Sequence, residues 1–162
     1  MSVKKSILRF IAASTLLVST GAIAQTLTYG APISLDAAKK IAAAAAAEAK
    51  KQNLTVVISI VDSSGSLTYL EKLDGTQLAS VDIAISKART ANNFKRPTKV
   101  FEDGVAGGRN ALLSLPEGIS LIEGGSPIVV DNKVIGAIGV SGGNSQQDGQ
   151  IAEAGLASLK AK

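Results

Sequence analysis

The sequence predicts an α+β domain, a mainly antiparallel sheet flanked by helices, on three observations. β-Branched hairpins can be read over residues 54–73 and 128–141; small-residue stretches of helical period lie beside them; and no repeat, heptad or low-complexity linker divides the chain after its first 24 residues. The expected order is α-β-β-α-loop-β-β-α.

The chain opens on Met1-Ser2-Val3-Lys4-Lys5-Ser6-Ile7-Leu8-Arg9, runs apolar from Phe10 to Val18 and reaches Ala22-Ile23-Ala24. A basic start, a short apolar centre and an A-x-A site make a secretory signal peptide, too short for a comfortable membrane span. Cleavage after Ala24 leaves 138 of the 162 residues as one domain, 25–162, with no membrane span and a periplasmic or secreted destination.

That cleavage also changes the charge. Lys4, Lys5 and Arg9 are three of the 17 basic residues, so 14 remain against 13 acidic ones. A near-neutral domain with 3% aromatic residues has neither the basic surface nor the stacking platforms of a nucleic-acid binder. The chain contains no histidine and no cysteine, and its one methionine is Met1. The mature domain therefore lacks a disulfide, a lipid-anchor cysteine and the commonest ligands of haem iron and transition metals, and no metal site is expected.

Gln25 to Ile33 reads as a mobile lead-in or an added edge strand, because Leu27 and Tyr29 alternate with threonine before Pro32. Ser34 is placed to cap a helix with Asp36 in its first turn and Leu35, Ala38, Ile41, Ala42, Ala45 and Ala49 at helical spacing, and Asn53 to stop it. Leu54 to Val61 is too apolar for a sheet with one bare face and predicts a central strand, turned by Asp62 to Ser66 into Leu67 to Leu73. Ser80 is expected to cap a second helix that buries Val81, Ala84, Ile85, Ala88 and Ala91 and leaves Asp82, Lys87 and Arg89 in water, until Arg96-Pro97 breaks it.

Thr98 to Gly125 is irregular, with a short helical piece around Val100-Phe101, the flexible Gly104 to Gly108, and a second piece from Arg109 to Leu115. A long glycine-rich connection inside a small domain is more often functional than idle. Ile128 to Val130 and Lys133 to Ser141 then pair across Asp131-Asn132, residues that tolerate positive φ. Gly142-Gly143 turns the chain, Asn144 or Ser145 caps a last helix with Gln147 or Asp148 reaching back, and Ile151, Ala154, Gly155, Ser158 and Leu159 form its apolar stripe.

Two catalytic motifs fail on chemistry. Gly139-Val140-Ser141-Gly142-Gly143 matches the G-x-S-x-G nucleophile elbow, but there is no histidine to take the serine proton. Gly136, Gly139 and Gly142 are not followed by Gly-Lys-Ser/Thr, and two of them fall inside a strand, where close backbone packing explains them. Arg109, after Gly107-Gly108 and ahead of a helical piece, can hold a carboxylate bidentately; the structural alternative pairs it with Glu102, Asp103 or Glu123. Glu102 and Glu123 are the candidate general bases, against a plainer reading as solvated carboxylates. Gly124, Gly125, Gly142 and Gly143 complete a candidate ligand pocket. Tyr69 and Tyr29 can line a pocket or simply pack, and Lys95-Arg96 reads as a wet helix end.

The segments DIAISKART (82–90), RPTK (96–99), EDGVAGGR (102–109), ALLSLP (111–116), EGG (123–125), GAIGVSGG (136–143) and 148–157 together resemble the GlcG/HbpS-like haem-degrading or haem-binding family, in one order over nearly the whole mature domain. The resemblance implies a profilin-like antiparallel sheet flanked by helices, homo-oligomers up to octamers, and in some members haem binding or sensing outside the cytoplasm. Members often carry a histidine after the first hairpin glycine; here Gly65 is followed by Ser66, so no axial ligand carries over. Three functional readings follow: an exported oligomeric ligand-binding protein with haem as the implied cofactor, an enzyme on a small organic acid using Arg109 with Glu102 or Glu123, and a scaffold that only assembles.

Overall fold

Ser34 accepts a hydrogen bond from the Ala37 N–H at 3.3 Å and starts helix α1 (Leu35–Lys51), as its sequence position predicts. The computed structural model describes residues 26–159; the signal peptide expected over 1–24 and the mature terminus at Gln25 lie outside the described residues. Helix α1 buries Ala38, Ile41, Ala42, Ala45, Ala46 and Ala49, while Leu35, expected on this stripe, is 47% exposed in the first turn.

The lead-in forms a two-residue strand, β1 (Thr28–Tyr29), parallel to the start of β5 (Lys133–Ser141). Strands β2 (Val57–Asp62) and β3 (Leu67–Lys72) make one hairpin and β4 (Gly125–Val130) and β5 the other. Asp131 and Asn132 supply positive φ values of 47° and 61° at the second turn. Antiparallel pairing of β2 with β5 joins the hairpins in the order β4-β5-β2-β3, with β1 against the first residues of β5.

Period-2 alternation sends alternate residues of β2 and β5 to opposite faces, and both faces are covered. Ile58, Ile60, Ile138 and Val140 pack with α1 and α4 (Ser145–Ala157), whereas Val61 and Ala137 pack with Ala88 and Ala91 of α2 (Ser80–Phe94). Helix α4 starts in a complete capping box between Asn144 and Gln147. It buries Asp148, Gly149, Ile151, Ala152 and Gly155, while Ala154, Ser158 and Leu159, expected on its apolar stripe, are half-buried.

Helix α2 departs from expectation in three ways, the first being that Val81 and Ile85, expected on its buried stripe, are only half-buried. Ser80 does not cap it: Ala79 precedes the helix without a side-chain bond, and buried Ser80 Oγ accepts from Ser141 Oγ at 3.2 Å. Lys87, expected in water, is 2% exposed, because α2 lies so close to the sheet that this position faces β4 and β5. The closeness comes from Gly125 and Gly139, at which a Cβ would run into the backbone of Lys87 and of Ala84 and Ala88. Ser59 Oγ donates to the Ala84 carbonyl at 3.0 Å across the same seam.

The connection after α2 contains α3 (Lys99–Ala106) and a 3-10 turn (Asn110–Ser114). It is fastened to α2 by Ser86 Oγ donating to the Gly118 carbonyl at 2.7 Å, by the Ser120 N–H donating to Thr90 Oγ1 at 2.9 Å, and by an edge-to-face contact of Phe94 and Phe101. Among the described residues no helix is long and apolar enough to cross a membrane.

Gly139→Ala should place a methyl in rigid backbone on both sides of the α2 seam. Urea unfolding is expected to show a loss of about 1–3 kcal/mol or more, and an unchanged midpoint would contradict the close approach.

Candidate functional site

Four of the glycines singled out in the sequence surround one buried ion pair. Lys87 Nζ lies 2.7 Å from Asp148 Oδ2, with the two side chains 2% and 3% exposed, and donates to the Val140 carbonyl at 3.0 Å. Asp148 Oδ1 accepts from the Gly143 N–H at 2.9 Å. A Cβ on Gly124, whose φ is 126°, would fall 2.8 Å from Lys87 Nζ and 2.8 Å from Asp148 Cβ. Gly142, at φ 153°, lets the chain pass the Thr55 carbonyl. Burial pushes the Asp148 carboxyl above its ordinary pKa, and the Lys87 ammonium and backbone N–H groups counter that push. The pair ties α2, on one face of the sheet, to α4 on the other; at this burial it is a structural tie. Gln147, not Asp148, makes the reciprocal bond of the capping box.

Glu102 and Glu123 meet each other but not Arg109. Glu102 accepts from the Glu123 N–H through Oε2 and from Ser145 Oγ at 2.7 Å through Oε1, fastening α3 to the start of α4. Glu123 reaches over Gly149 and lines a cleft of about 180 Å³ with Lys99, Gly124, Gly125, Ser126 and Glu153. Lys99 is 2.8 Å from Asp103 and 3.7 Å from Glu123, and Ser126 Oγ donates to Glu153 at 2.7 Å.

Arg109 stands elsewhere. It lines a cavity of about 300 Å³ with Phe94, Arg96, Val100, Phe101, Leu112 and Leu115. A second cavity, of about 420 Å³, shares Phe94, Arg96 and Val100 and adds Thr26, Leu27 and Lys95. Among the described residues neither arginine forms an ion pair, since the acids near them in sequence are engaged with Lys99, Ser145 and backbone. Arg96 Nε donates to the Phe94 carbonyl at 3.1 Å, which leaves the outer edge of its fork open. The piece after Arg109 is a five-residue 3-10 turn, so the expected helix-terminus anion hole is not built there. Gly107 and Gly108 (φ 86°) turn α3 into this wall.

The tyrosines are spoken for. Tyr29 Oη donates to the carbonyls of Asn92 and Asn93 at 3.0 and 3.2 Å, and its ring carries Lys95 Nζ at 5.0 Å. Tyr69 packs on the α1/α4 core and donates to Glu71 at 3.1 Å, and burial raises its pKa. Arg96, read from sequence as a wet helix end, is exposed just past the end of α2 and also lines both cavities; its place two residues after Phe94, beside a proline that turns the chain into α3, is the sequence signal for that second position.

Comparison with known proteins agrees with this fold. Residues 33–157 match the family model described as haem degrading protein HbpS-like. Protein GlcG of Escherichia coli strain K12 is 42% identical over 109 residues, covering 67% of this chain and 81% of GlcG. The crystal structure of Klebsiella pneumoniae protein ORFY superposes with a TM-score of 0.76 at 33% identity over 83% of this chain and 95% of that one. A crystal structure of a PduOC:haem complex superposes with a TM-score of 0.71 at 30% identity over 78% and 94%. The chain belongs to the HbpS-like haem-degrading protein family.

The buried pair makes a pH-dependent prediction. The Asp148 pKa is higher folded than unfolded, so the native state holds the proton between those two values and stability from this carboxyl falls as pH rises through that window. Lys87→Met removes the counter-charge and extends the window upward. It should cost ~3–5 kcal/mol by urea unfolding at about pH 8 and less at about pH 5, with Lys87→Met/Asp148→Leu recovering most of the loss. A deficit independent of pH would contradict an ionised Asp148.

Proposed function

We propose, from membership of this family, that the protein is an exported, self-associating haem-binding protein that holds the porphyrin at the junction of α2 and α3. The observation that carries the reading is the pair of cavities sharing Phe94, Arg96 and Val100, apolar on their walls and edged by the forks of Arg96 and Arg109. Aromatic and aliphatic faces suit a flat hydrophobic ring, and an unopposed guanidinium suits its carboxylates. A solved relative, PduOC, is complexed with haem.

The residues present fit the ring and its anionic edge but not the iron. Residues 26–159 contain no histidine, cysteine or methionine, and neither tyrosine lines either cavity. The small-acid enzyme is not supported, because the cavity that Arg109 lines contains no carboxylate.

Export rests on the three-part leader over residues 1–24, and self-association on exposed Leu113 and Ile122, apolar side chains that lie together on the segments after α3. Three outcomes test these parts. Titration with haem should give saturable binding above that of an unrelated protein, and Arg109→Ala should weaken it by about tenfold with the circular dichroism unchanged. Protein recovered from the soluble fraction of the cell envelope should begin at Gln25, and an intact Met1 there would count against export. Light scattering at micromolar concentration should give a multiple of the chain mass.

A further inference from the structure

We infer, resting on the haem-binding reading, that the site recognises the tetrapyrrole ring and its carboxylates independently of iron, so that a metal-free porphyrin dicarboxylate is a ligand of equal standing with haem. Strong ligation of haem iron asks for imidazole, thiolate or thioether, and residues 26–159 offer none. The phenols that would substitute are committed elsewhere: Tyr29 Oη to two backbone carbonyls, and Tyr69 Oη to Glu71, with burial working against the phenolate. Lys95 does line one cavity, but its Nζ donates to the Leu27 carbonyl at 2.8 Å. Assembly does not change the inventory, since a second copy brings the same side chains.

What the cavities do offer is indifferent to a metal. Phe94, Phe101, Leu112 and Leu115 present ring faces and methyl groups, and Arg96 and Arg109 present planar forks of N–H donors that have no carboxylate partner among the described residues. A porphyrin that carries two carboxylates on one edge meets these groups in the same way with or without iron. Most of its binding free energy then comes from apolar burial and the two charge-assisted contacts.

The test is a parallel titration of the purified protein with haem, followed by absorbance, and with metal-free protoporphyrin, followed by fluorescence. The two dissociation constants are expected to agree within about threefold, and Arg96→Ala/Arg109→Ala to weaken both by about tenfold or more with the mass and circular dichroism unchanged. Haem binding at least about tenfold tighter than the metal-free ring would overturn this inference and leave the haem-binding reading standing. Binding of neither above an unrelated protein of similar charge would overturn both.

Discussion

The buried ion pair between Lys87 and Asp148 is the constraint around which the rest of the structure is arranged. Taking an ammonium and a carboxylate out of water costs several kcal/mol per ion, and the pair is tolerable only with near-ideal geometry and with the remaining donors and acceptors satisfied. That requirement explains the local backbone. The Val140 carbonyl turns to Lys87, the Gly143 N–H turns to Asp148, and Gly124 keeps a Cβ out of the space between them. Each group belongs to a different segment, so a shift of α2 along the sheet would strand a charge and not merely loosen a contact. Apolar packing alone, with the alanines and glycines that line this seam, would distinguish poorly between neighbouring positions of the helix.

The same seam explains why so small a side-chain inventory makes a stable layer. Ala84, Ala88 and Ala91 on α2 meet Gly139 and Ala137 on β5, which brings backbone against backbone and lets Ser59 reach the Ala84 carbonyl. Larger residues would push the helix outward and break the reach of Lys87. On the opposite face Ile58 and Ile60 of β2, Ile128 of β4, and Ile138 and Val140 of β5 pack with α1 and α4 into the larger core. The two faces therefore have distinct tasks: one supplies most of the apolar burial, the other sets position through close approach and charge.

Much of this was legible in the sequence, and the exceptions share a cause. Hairpins, two of the three expected helix caps and the order of elements follow from local signals: Asp131-Asn132, Ser34, the Asn144/Gln147 box and the β-branched run before Asp62. The buried charges did not, because a lone lysine in a helix is ordinarily solvated. Yet Lys87 falls three residues after Ala84 and four before Ala91, and Asp148 three before Ile151 and seven before Gly155. Both charges sit on the apolar stripes of their own helices, and two opposite charges so placed are a recognisable sign of a buried pair. The glycines were read as a ligand pocket from sequence, where a glycine that admits a ligand and one that admits a lysine look alike.

Arg96 and Arg109 show the complementary difficulty. The sequence leaves Arg109 open between holding a carboxylate ligand and pairing with Glu102, Asp103 or Glu123, and the structure engages those acids with Lys99, Ser145 and a backbone N–H. Which cation is left over depends on how α3 and the 3-10 turn fold back on Phe94 and Phe101, a tertiary outcome with no local sequence signal. An uncompensated fork beside an apolar wall carries a desolvation cost on any occupant that is purely apolar and a gain for one that brings a carboxylate to the same edge. On the haem-binding reading proposed above, this corner would favour flat, amphipathic anions over neutral hydrophobes. The corner is built where the connecting segment is fastened back onto α2, by Phe94 against Phe101 and by the Ser86 and Thr90 hydrogen bonds, apart from the buried α2–α4 pair.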